Sequence, residues 1–93
     1  MNLLIIIKMK LLKFTADWCA SCKALSSKLE NFELCEIDEI DVEEEVDITI
    51  EFNVRSLPSI VLIDDEEREL DRIVGNVSVK TIEDLVNKHL NNQ

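Results

Sequence analysis

Cys19 and Cys22 stand two residues apart in Trp18-Cys19-Ala20-Ser21-Cys22-Lys23, and no other pair of side chains in the chain points so directly to a chemistry. Sulfur attacks as the thiolate, and an ordinary cysteine, with a pKa near 8.5, is only a few per cent ionised at neutral pH. The pair follows an apolar run, Lys10-Leu11-Leu12-Lys13-Phe14-Thr15, and opens a segment in which Leu25, Leu29 and Phe32 recur at helical spacing. The motif therefore sits where a strand turns into a helix. Unpaired backbone N–H groups and the positive end of the helix dipole favour a thiolate there. Cys19 is the expected nucleophile, ionised at roughly pH 7 or below, and Cys22, one turn on, resolves the mixed disulfide that Cys19 forms. Half of a zinc site is the competing assignment. Zinc needs four ligands, and the remaining Cys35 and His89 do not stand at zinc-finger spacing. A soft-metal carrier is a weaker alternative, because Asp17 stands where such a motif has a Met.

Residues 3–7, all Leu or Ile, are expected to form a first strand or an extension of the strand at 10–15. The helix after Cys19 is predicted to run to about Asn31, and Leu34 to Asp41 to form a strand. Between 43 and 53, Val46, Ile48, Ile50, Phe52 and Val54 alternate with period two, which by itself argues for a strand. Parallel strands need a crossover, however, and Glu43-Glu44-Glu45 suit a helix N-terminus, so a short helix is predicted. Ser59 to Asp64 reads as a strand, Asp64-Asp65-Glu66-Glu67 as a polar hairpin turn, and Glu69 to Val74 as its antiparallel partner ending at Gly75, a bulge or positive-φ site. Ser78 is predicted to cap a final helix reaching about Asn91, with Val79, Ile82, Leu85, Val86 and Leu90 on one face.

The segment from Phe14 to Lys23 resembles the active-site segment of thioredoxins. Arg55-Ser56-Leu57-Pro58-Ser59, some 36 residues after Cys22, looks like the same family's cis-proline loop. The resemblance implies an α/β thioredoxin fold, a central mixed β-sheet flanked by helices, with a shortened N-terminal unit. It also implies a protein-disulfide reductase cycling Cys19 and Cys22 with no bound cofactor beyond that disulfide, an upstream reductase, and clients such as ribonucleotide reductase. Trp18 and Lys23 would support the site, while Leu57, Pro58 and Gly75 with Asn76 would border a substrate groove in which an extended client pairs strand-fashion. Ala20-Ser21 replaces the family's usual Gly-Pro, so the redox potential does not carry over. A further departure is Lys13, which stands where thioredoxins hold a buried acid. Glu39 stands where the family has a lysine facing that acid, so a charge-swapped Lys13–Glu39 pair beneath Cys22 is expected, against the simpler reading of Lys13 reaching solvent on an edge. The motif is also similar to reductase domains of membrane thiol-transfer proteins. Glutaredoxin is the nearest rival within the class, but its aromatic-rich motif and Gly-rich glutathione site are missing. A non-catalytic thioredoxin-like subunit of a larger enzyme is the competing class.

Ninety-three residues with a single Gly and a single Pro suit one globular domain over 1–93 and argue against linkers and disorder. The formal charge is −10, carried by residues 29–71 with seventeen acids against two Arg, whereas residues 1–28 carry five Lys against one Asp. Such acidity repels phosphates, so nucleic-acid partners are not expected; a solvated face accounts for it, and steering toward a basic partner is the sharper reading. Three cysteines do not make a disulfide framework, and the Lys-interrupted apolar start neither spans a bilayer nor leads to a cleavage site. A cytoplasmic monomer without membrane attachment is expected. Cys35 reads as a small buried apolar residue and His89 as a surface residue favoured by the end of the last helix.

Overall fold

The computed structural model describes residues 8–91; the strand expected at 3–7 lies outside them. The elements are β1 (Lys10–Thr15), α1 (Ala20–Lys28), β2 (Glu36–Asp41), α2 (Val46–Glu51), β3 (Ser59–Ile63), β4 (Glu69–Val74) and α3 (Val79–Asn91). The strands form one mixed sheet in the order β2-β1-β3-β4. β1 runs parallel to β2 and antiparallel to β3, and β3 and β4 form the hairpin. The two central strands are the most apolar, because both their faces are covered, with Lys13 and Ser59 as their buried polar exceptions. Leu11 through Phe14 and every residue of β3 are buried. The edge strands β2 and β4 carry charge on their partly exposed positions.

The core is divided by the sheet. On one face Leu11, Ile60 and Leu62 meet Leu25 and Leu29 from α1 and its end, and Ile82, Leu85 and Val86 of α3. On the other, Leu12, Phe14, Ile40 and Val61 meet Phe52, which follows α2, with the rings of Phe14 and Phe52 6.2 Å apart. Arg72 ties this second face together. Its guanidinium pairs with Glu69 and donates to the carbonyl of Phe52 at 2.7 Å.

Several expectations are corrected at element ends. α1 stops at Lys28, not Asn31, because the N–H of Leu29 is shared between the carbonyls of Leu25 and Ser26 and the N–H of Phe32 closes a tighter turn onto Leu29. β2 begins at Glu36, and Leu34 is exposed. Residues 46–51 are helical despite their period of two, but not for the expected reason: β2 and β3 run antiparallel, and α2 carries the chain past β1, which lies between them. Asn53, at φ 54°, then turns the chain away. Ser78 caps α3 by accepting from the N–H of Thr81 at 3.2 Å. Leu90, at the end of α3, is exposed and does not join the buried face. His89 is not a simple surface residue: its Nε2 lies 3.0 Å from Asp71 Oδ2 and joins the last helix to β4. That contact holds the Asp71 carboxyl below its ordinary range. Gly75 has φ 103°, a backbone conformation that suits glycine, and its N–H donates to the carbonyl of Pro58 at 2.9 Å.

Candidate active site

Cys19 is the N-cap of α1. It has extended backbone angles, and its carbonyl accepts the first helical hydrogen bond from Lys23. This is where the chain leaves the sheet, one short turn after β1, with the N–H of Cys19 bonded to the carbonyl of Ala16. Cys19 and Cys22 form a disulfide with their Cα atoms 5.3 Å apart. The N–H of Cys22 donates to Cys19 Sγ at 3.2 Å, and the Ser21 hydroxyl lies 3.5 Å from the same sulfur. Cys22 is fully buried, whereas Cys19 keeps a sliver of exposed surface. The difference fits one sulfur that meets a partner and one that acts from behind it.

The exposed side of Cys19 opens onto a groove of about 280 Å³ lined by Trp18, Val42, Thr49, Val54, Arg55, Ser56 and Leu57. Trp18 is 67% exposed, so it is not a core residue. Its indole N–H donates to Glu43 Oε2 at 3.1 Å, which lays the ring along the groove. The Leu57–Pro58 peptide bond is cis, and Pro58 is buried beside Leu57. Gly75 and Asn76 are not among the lining residues; Gly75 stands behind Pro58 through their hydrogen bond. Lys23 is exposed on the outer side of α1. Sequence reasoning missed Val42, Thr49, Val54 and Arg55 as groove residues, along with the role of Glu43. The one available signal was the acidic run after β2, which contains Glu43. Glu43, through Trp18, and Arg55 thus put one acid and one base at the groove.

Lys13 lies at the centre of the sheet, between Glu39 on β2 and Ile60 on β3, and none of its surface reaches solvent. The edge-lysine reading is thereby excluded. Its Nζ is 3.8 Å from Glu39 Oε2, an ion pair but too long for a hydrogen bond, and among the described residues Nζ has no hydrogen-bond partner. Glu39 is about half exposed and accepts instead from the Ser26 hydroxyl of α1 at 2.6 Å. Burial pushes the Lys13 ammonium below the ordinary lysine range, and Glu39 offsets only part of that. Cys35 is partly buried against the α1–α3 side of the core, away from the motif, and burial pushes its thiol up. Among the described residues no cluster of three or more His, Cys, Asp or Glu is placed to hold a metal.

The geometry has counterparts in known proteins. The sequence pattern of the family named Thioredoxin matches residues 4–88. The chain is 38% identical over 86 residues to Thioredoxin H8 of Arabidopsis thaliana, covering 88% of this chain and 57% of that protein. It is 30% identical over 86 residues to a thioredoxin of Staphylococcus haemolyticus, covering 87% and 82%. The first eukaryotic and fungal relatives are longer, and the chain spans about half their length. A solved thioredoxin variant from Halobacterium salinarum superposes with a TM-score of 0.80 at 28% identity, over 87% of this chain and 74% of that one. With the N-capping disulfide, the neighbouring cis-proline and the mixed sheet in place, this chain belongs to the thioredoxin family and has the thioredoxin fold.

Proposed function

We propose that this chain is a thiol–disulfide oxidoreductase that reduces protein disulfides by cycling Cys19 and Cys22. The observation that carries the reading is the disulfide itself, capping α1 at the mouth of an open, partly apolar groove. In the reduced protein the helix N-terminus favours Cys19 as a thiolate. That thiolate attacks one sulfur of a client disulfide, the client's S–S bond breaks, and its other sulfur leaves as a thiolate. Cys22, deprotonated, then attacks Cys19 Sγ in the mixed disulfide and expels the second client sulfur. The client gains two electrons and the Cys19–Cys22 disulfide re-forms. No group outside the chain is required in these steps; a dithiol reductase upstream restores the thiols. An extended client segment would lie along Trp18 and Leu57, beside Pro58, and the chain's net charge of −10 favours basic segments. The reading extends to a cytoplasmic monomer serving clients such as ribonucleotide reductase, with no membrane partner, and the net charge of −10 is what speaks against nucleic acid.

Insulin reduction driven by dithiothreitol tests the reading. Wild type should accelerate the precipitation of insulin chains, Cys19→Ser should be inactive, and Cys22→Ser should accumulate a mixed disulfide. A Cys19→Ser protein that keeps wild-type activity would exclude catalysis at this pair and leave a non-catalytic binding subunit.

A further inference from the structure

We propose that Lys13 is a positioning residue of this site, a buried ammonium under α1 that holds Cys22 as a thiolate in the reduced protein and so makes the Cys19–Cys22 couple more oxidising. The proposal rests on the reading of the two cysteines as a redox couple. It begins from an orphaned atom: Lys13 Nζ has no exposed surface and no hydrogen-bond partner among the described residues. Its one neutralising neighbour, Glu39, is half exposed and already bound by Ser26, so water and the hydroxyl share in screening that carboxylate. A fold that keeps a lysine there leaves part of its charge uncompensated.

Sheet alternation settles where that charge acts. Lys13 lies on the same face as Leu11, the face covered by α1 and α3, while Leu12 and Phe14 lie on the other. Glu39 Oε2 touches both the ammonium and Ser26, which is four residues, one helical turn, after Cys22. Lys13 is thus held against α1 within about a turn of a sulfur that is itself fully buried. The two cysteines differ in what else supports a negative charge. Cys19 has the helix N-terminus, including the N–H of Cys22 pointing at its sulfur. Cys22 lies inside the first turn, and burial alone would keep it a neutral thiol. The buried ammonium is the countercharge available to it. The titratable group in contact with Nζ is Glu39 from β2, β3 offers the apolar Ile60, and Cys22 is the buried titratable group of α1 on the turn before Ser26.

The electron balance follows. When a dithiol reduces the disulfide, the S–S bond breaks, two electrons pass to the sulfurs and the reductant becomes a disulfide. Two protons accompany the electrons if both sulfurs end as thiols, and fewer if one is held as a thiolate. Stabilising that thiolate lowers the free energy of the reduced form alone, which raises the potential. It also readies Cys22 for the resolving attack.

The test is the equilibrium of the couple with glutathione, followed at neutral pH in wild type and Lys13→Met. The substitution should favour the disulfide about tenfold in the equilibrium constant, a fall of about 30 mV for a two-electron couple. It should also raise the pH at which Cys22 of a Cys19→Ser protein is alkylated. A folded Lys13→Met protein with unchanged equilibrium and alkylation profile overturns the proposal. If Lys13→Met does not fold, reciprocity supplies a measurement on wild type alone. The Lys13 side-chain amine, followed by NMR, should titrate at higher pH in the reduced protein than in the oxidised one, and equal values in the two states overturn it. Neither measurement requires turnover of a client, so failure of the reductase reading shows separately, in the insulin assay.

Discussion

The two faces of the sheet are built on different terms. On one, α1 and the thirteen-residue α3 press Leu25, Leu29, Ile82, Leu85 and Val86 onto the strands and close the space so fully that even the lysine at its centre is dry. On the other, a six-residue helix contributes no buried residue of its own and leaves Val46 and the 70% exposed Ile50 facing outward, with the core finished by Phe52 and the loop that follows. The first face supplies stability and a fixed electrostatic setting. The second supplies the groove wall. The disulfide sits where they meet, at the N-terminus of a helix from the first face and at the mouth of the groove on the second. Rigid support behind a reactive group and open surface in front of it are opposite demands, and the fold meets them by assigning each to a different side of one sheet.

Truncations on the two sides should therefore separate widely. Leu25→Ala or Ile82→Ala should cost about 2–5 kcal/mol, read as a fall in the denaturant midpoint, while Val46→Ala or Ile50→Ala should stay within about 0.5 kcal/mol. Equal losses on both sides would erase the distinction. Lys13→Met tests whether the closed face gains anything from its charge, and it should stabilise the protein by about 1–4 kcal/mol at neutral pH. The sign with pH follows from the lowered Lys13 pKa. The unfolded chain holds that proton more tightly, so wild-type stability rises as pH climbs from the depressed folded value toward 10.5, and the advantage of Met shrinks over the same interval. Stability curves that stay parallel across that interval would mean Lys13 is not held under strain. Ser78→Ala should cost about 1 kcal/mol by removing the cap of α3, measured by thermal unfolding. Trp18→Ala should leave stability within about 0.5 kcal/mol of wild type yet raise KM for insulin several-fold, since the ring lies on the groove and not in the core. A large loss of stability there would assign Trp18 to the core side instead.

Local patterns carried much of this structure. The CxxC pair between an apolar run and a helical repeat marked the strand-to-helix junction because such a junction needs only neighbours in sequence. Ser78, Gly75 and the acidic hairpin turn were legible for the same reason, each satisfying backbone groups within a few residues. Residues 43–53 show the limit: their alternation pointed to a strand, and the helix expected from a parallel crossover forms between β2 and β3, which run antiparallel with β1 between them.

What the residues alone determined, then, was the order of elements and the presence of a cysteine pair at a helix N-cap, since propensity and spacing act over one or two turns of chain. What only the tertiary structure decided was which charges are dry and which are wet. Lys13 is buried because the strand order puts β1 between β2 and β3 with α1 above it. Asp71 meets His89 because α3 folds back over β4, and Glu43 meets Trp18 because the loop after β2 returns beside the motif. Solvation depends on what packs from distant parts of the chain, and no local pattern records that.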